Sequence, residues 1–129
     1  MQSKITLGEV PITLDGDEIV LRPTMRAMTQ ISRTYGGLAK ARTEIAQENI
    51  DAIAYVIRVG AGMNDRDAKD LGDRIFATGT ADMIVPLIRY VAILGNGGKP
   101  LEGDDEVDDA DAGGSRRSRK RDADPLGSN

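Results

Sequence analysis

The sequence predicts an α+β fold, mostly α: one N-terminal β-hairpin packed on a bundle of about four to five short helices, then a disordered C-terminal tail. Three observations predict it. Asp15-Gly16 stands between two short apolar runs, the strongest local signal for a tight hairpin turn. Apolar residues then recur at three- and four-residue spacing up to Gly95, interrupted by glycines. Beyond Gly95 the periodicity stops and charge takes over. The expected organisation is therefore a hairpin plus helical domain over 1–95 and a disordered acidic-then-basic tail over 96–129.

The hairpin comes first. A two-residue loop sets Leu14 opposite Asp17, Ile12 opposite Ile19 and Val10 opposite Leu21. Directly opposed residues share a face, so Val10, Ile12, Leu14, Ile19 and Leu21 gather on one side. Pro11 then falls opposite Val20 in a non-hydrogen-bonded pair, which its missing N–H tolerates only at a sheet edge. Two strands alone are marginal, so this apolar face needs a cover.

Arg22-Pro23 ends the second strand, and Thr24 is placed to cap a helix running to Tyr35. Met25, Met28, Ile31 or Ser32, and Tyr35 form its stripe, the natural lid for the hairpin, and Gly36-Gly37 stops it. Leu38, Ala41 and Ile45 mark a second helix over Leu38–Gln47. Asn49 caps a third, with Ile50, Ile53, Ala54, Ile57 and Val56 inward; Gly60-Ala61-Gly62 ends it, and it is expected to be the most buried. Asn64 or Asp65 opens a fourth helix, Arg66–Thr78, with Ala68, Leu71, Ile75 and Phe76 opposite a charged face. Thr80 caps a fifth with Met83, Ile84, Leu87, Ile88, Val91 and Leu94 in register. Pro86 should kink that helix or mark a break near Met83.

Composition excludes much chemistry. Histidine and cysteine are both absent, which removes the usual general bases, thiol nucleophiles and soft metal ligands. The carboxylate pairs Asp67/Asp70 and Asp70/Asp73 share a helix face, but Lys69 and Arg74 beside them make ordinary ion pairs. Gly95–Lys99 lacks the upstream glycine and the following Ser or Thr of a phosphate loop. The acidic run after Glu102 lacks the glycine and ligand alternation of a calcium loop. No catalytic residue, metal ligand or cofactor site is expected. No apolar run is long enough to span a membrane, and the first residues lack a signal-peptide core. A soluble cytoplasmic protein is the expectation.

The net charge of −4 lies wholly in the tail, because residues 1–101 hold equal numbers of acidic and basic side chains. The basic cluster Arg116, Arg117, Arg119, Lys120 and Arg121 is the one patch suited to a polyanion. Without interleaved aromatics or a basic body, nucleic acid is not the expected partner.

One order of signals is more specific. Ile12-Thr13-Leu14-Asp15-Gly16, then Ile19-Val20-Leu21-Arg22-Pro23-Thr24 and Ala27, followed by Gly37-Leu38, resembles the tail assembly chaperone family of phages and gene transfer agents. Some members of that family are labelled tail tube proteins. The likeness covers roughly residues 7–95. It implies a non-enzymatic assembly factor that coats the tape measure protein before the major tail tube protein polymerises around it. Such a factor works in the host cytoplasm and is not retained in the mature particle. Related factors are often made in short and frameshifted long forms, and Gly98-Lys99 is where a slippery codon run would fall.

The partner-binding candidates are Val10 and Ile12 on the hairpin edge, which a partner or a second copy (a homo-oligomer) could extend, and Met25 and Met28, whose thioethers adapt to varied surfaces. The alternatives are a structural tail protein of the particle and a small nucleic-acid-binding adaptor using the basic tail.

Overall fold

The computed structural model describes residues 8–101. The chain divides into two units after Lys99, and the hairpin and all the helices belong to the first. In chain order they are β1 (Val10–Leu14), β2 (Asp17–Leu21), α1 (Met25–Tyr35), α2 (Leu38–Ala46), α3 (Ile50–Ala61), α4 (Leu71–Thr78) and α5 (Ala81–Gly95).

The hairpin has the expected register, Val10 opposite Leu21, Ile12 opposite Ile19 and Leu14 opposite Asp17. Asp15 and Gly16 both hold positive φ, 52° and 87°, as the twist-matching two-residue turn requires. Val10, Ile12, Leu14 and Leu21 are buried, while Ile19 is only half-buried. Among the described residues the sheet has two strands, so β1 is an edge there and Pro11 costs no ladder bond.

The cover is not the expected one. α5 and α4 pack on β1 and α3 packs on β2, whereas α1 packs mainly against α2, α3 and α5. α1 buries Ala27 and Ile31, a face rotated away from the Met25–Met28–Tyr35 stripe. The short Arg22-Pro23-Thr24 link carries α1 off the end of the hairpin instead of back across it.

α3 joins the hairpin to α5 through one node. Arg22 N–H donates to the Gly60 carbonyl at 2.9 Å, and the Tyr90 hydroxyl donates to the Arg22 carbonyl at 2.6 Å. A Cβ on Gly60 would sit 3.0 Å from Tyr90 ring carbons, so the small residue lets α3 and α5 approach closely. Tyr90 is fully buried, and burial pushes its hydroxyl well above the ordinary tyrosine range. The turn end of the hairpin is fastened separately. Asp15 N–H donates to Thr78 Oγ1 at 2.6 Å, and Arg74 pairs with Asp17 at 3.1 Å.

Further expectations change. α4 begins at Leu71 rather than Arg66. The Asn64 side chain does accept from Asp67 N–H at 2.8 Å, but the turn it starts closes with i+3 bonds from Lys69 and Leu71. Only Ala68 in that stretch is partly buried, so no apolar face rewards a continued helix. Phe76 is 89% exposed because α4 buries Leu71 and Ile75 instead.

Thr80 makes no cap bond: it is helical itself, φ −83° and ψ −23°. Its hydroxyl donates to Glu48 Oε1 at 2.6 Å. α5 runs unbroken through Pro86, held on either side by buried Met83 and Leu87. The compact unit reaches Lys99 rather than Gly95. Asn96 N–H and Gly98 N–H both donate to the Ile93 carbonyl, each at 2.9 Å, wrapping 96–99 back over the end of α5.

Candidate functional site

The start of α1 leaves an apolar side chain outside, as Ile50, Phe76 and Val85 do elsewhere among the described residues, and here it stands beside a pocket. Pro23 keeps the backbone extended, so Thr24 adopts φ −119° and ψ 158°, the conformation a capping residue needs. Its Oγ1 accepts from Ala27 N–H at 3.0 Å. That fixes the rotation of the first turn: Ala27 points inward and Met25 outward. Met25 is 78% exposed and Met28 is half-buried.

Around these two methionines, Pro23, Leu94 and the Gly97-Gly98 backbone line an apolar pocket of about 230 Å³. The glycines reach it because both hold positive φ, 75° and 80°, closing a tight turn off α5. Gly98 is pressed into place from the other side, since a Cβ on Gly8 would lie 2.5 Å from its carbonyl oxygen.

A second and more polar cleft, about 660 Å³, opens on the other side of Thr24. Its walls are the first turns of α1 and the last turns of α3 with the following loop; Arg22, Arg26 and Arg58 are in the lining and no Asp or Glu is. Arg22 pairs with Glu9 at 3.2 Å, and Arg58 pairs with Asp65. Tyr55 also lines it, held by an edge-to-face contact with Tyr35 and by a hydrogen bond from Thr34 Oγ1 at 3.0 Å. Tyr35 is pushed up from the ordinary tyrosine range, first by burial and then by Tyr55.

Of the residues the sequence nominates for partner binding, the structure brings Met25 and Met28 together at one pocket. It corrects the other two. Val10 is 1% and Ile12 5% exposed, covered by α4 and α5, so neither faces a partner. Their alternation puts them on the inner face, and the edge they belong to is carried by backbone and by Pro11 and Thr13. The basic cluster Arg116, Arg117, Arg119, Lys120 and Arg121 lies outside the described residues.

Sequence reading missed Gly97 and Gly98 as pocket walls by assigning them to the tail. The signal was there: a helix ending in Gly-Asn-Gly-Gly has the residues for a left-handed turn back over its last carbonyls. Reading also missed the arginine cleft, because residues 22, 26 and 58 meet only through the fold.

Among the described residues, no group of acidic side chains is arranged to hold a metal ion. Nor is any single helix there long and apolar enough to cross a membrane. No family model, curated protein sequence or solved structure matches the chain.

Proposed function

We propose that this protein is a non-enzymatic tail assembly chaperone of the phage and gene transfer agent type. It binds the tape measure protein in the host cytoplasm and is released as the major tail tube protein assembles. The observation that carries this reading is exposed Met25 beside an apolar pocket, at the head of the helix that follows a family-like hairpin. A long apolar client needs a surface that accepts many side-chain shapes, and unbranched thioethers supply one. The occupant is the apolar face of an amphipathic helix, which a shallow groove receives through a few anchoring side chains. The lack of histidine and cysteine also supports a binding role.

Co-expression tests it. The tape measure protein is expected to stay soluble with this chain and to aggregate without it, and Met25→Glu should abolish that protection. Mass spectrometry of purified particles should find the chain absent or far below stoichiometric. Its stoichiometric presence in mature tails would overturn the chaperone reading in favour of a structural tail protein. A tube subunit builds a closed ring from a substantial sheet, whereas among the described residues the sheet here has two strands.

A further inference from the structure

We propose that the cleft between the start of α1 and the end of α3 takes carboxylate side chains of the bound partner, so that the protein recognises acidic residues lying beside apolar ones. The partner's identity rests on the chaperone reading above; the chemistry of the cleft does not.

Charge complementarity is the argument. Arg22, Arg26 and Arg58 all line one cleft, and its lining includes no carboxylate. The two acids that pair with Arg22 and Arg58, Glu9 and Asp65, lie outside that lining. Arg26 makes no ion pair among the described residues. It also stands in the first turn of α1, which contains no acidic residue, so its charge adds to the positive end of the helix instead of balancing it. Planar guanidinium groups match a carboxylate through paired N–H donors, and Gln30 and Asn64 add amide donors to the walls.

The choice of carboxylate over a nucleic-acid backbone follows from what surrounds the cleft. Residues 1–101 carry balanced charge, which supplies no general basic field to hold successive phosphates. Tyr55 is the one aromatic side chain in the lining, too few for a stacking platform. Thr24 lines both this cleft and the Met25 pocket. One segment laid across Thr24 therefore seats an apolar side chain against Met25 and an acidic one among the arginines.

The full chain, isotope-labelled and at about 50 mM salt, where exposed charges are weakly screened, is titrated separately with hexaglutamate, a thymidine oligonucleotide and inorganic phosphate. Hexaglutamate should move the backbone amide signals of Arg26, Gln30 and Asn64 saturably. Arg26→Glu should weaken that response about tenfold, as charge reversal at a complementary surface does, while Arg26→Lys keeps most of it. The melting temperature of Arg26→Glu should not fall, so a lost response cannot be blamed on unfolding. Unmoved amides, an unchanged response in Arg26→Glu, or a stronger response to the oligonucleotide or phosphate would each overturn the proposal. A normal hexaglutamate response in a chain that leaves the tape measure protein insoluble would support the cleft chemistry and overturn the chaperone reading.

Discussion

α1 and α3 begin in opposite ways, though both start after an extended capping residue. At α3, Asn49 accepts from the N–H groups of Asp51 and Ala52 at 3.0 and 3.3 Å. Asp51 sits in the first turn and Arg58 in the last, so both charges oppose the helix dipole favourably. At α1, Thr24 satisfies one N–H, but the first turn holds Arg26 and no acid. Its leading side chain, Met25, is outside the core. The cap and both end charges of α3 agree with folding, although its own leading side chain, Ile50, is 47% exposed. At α1 the first-turn charge does not agree and the leading side chain is more exposed still, and such disagreements concentrate where a surface has another task. The comparison separates an end of a helix built to hold from one left open to be covered.

Breaking the anchored side should have the largest effect. Tyr90→Ala removes the ring packed against Gly60 and should cost about 3–5 kcal/mol by urea titration, as for other buried aromatics. Tyr90→Phe keeps the ring but strips the Arg22 carbonyl of its donor, at about 1–2 kcal/mol. The same hydroxyl predicts a pH dependence. Its folded pKa is raised above the unfolded value of about 10. The stability it contributes is full below that value and is lost as pH rises above it, because the unfolded state ionises first. Melting temperature should therefore fall above about pH 10, and fall less steeply in Tyr90→Phe, with Tyr35 supplying part of the remainder.

Capping variants sharpen the contrast. Asn49→Ala should lower stability by about 1 kcal/mol and leave partner binding alone. Thr24→Ala should lower stability by a similar amount and also weaken binding, since Thr24 sets the rotation that presents Met25. Gly16→Val, with no neighbour within 4 Å but a φ of 87°, should cost on the order of 1 kcal/mol from backbone strain alone. The smallest effect has the opposite sign. Arg26→Glu should stabilise the free protein by about 0.3–1 kcal/mol through the helix dipole while reducing acidic-peptide binding.

How much of this is legible beforehand depends on the range of the interaction. The hairpin register follows from turn chemistry and alternation within twelve residues (Val10–Leu21), and it agrees at every pair. The caps at Thr24 and Asn49 are equally local, and both form. Thr80 has the same side chain as Thr24 but a helical backbone, a difference the neighbours impose and the residue type does not reveal. Tyr90 stands outside the stripe of Met83, Ile84, Leu87, Ile88, Val91 and Leu94 that the spacing picks out; its place at the centre depends on Arg22 and Gly60, both far away in sequence. Phe76 fits the pattern of an inward residue, yet the face α4 buries is set by where Ile75 meets its neighbours. For the candidate site, the sequence nominates Met25 and Met28 for their adaptable thioethers, while the same stripe is expected to face inward as the hairpin's lid; the exposure of Met25 follows from the packing. The arginine cleft is not legible, because Arg58 joins Arg22 and Arg26 only through the packing of α3 beside α1.

The closeness of Gly8 to Gly98 has a consequence for chain connectivity. The residue that leads into β1 and the residue that wraps the end of α5 lie close together, so the chain enters the hairpin and leaves α5 at neighbouring points in space. A circular permutant that bridges these two glycines with a short linker and opens the exposed 64–70 turn would preserve the hairpin and all five helices. In the native chain order, the Gly97-Gly98 turn that walls the Met25 pocket is also the last turn of the first unit, so the permutant would test that wall without altering a single residue inside the pocket.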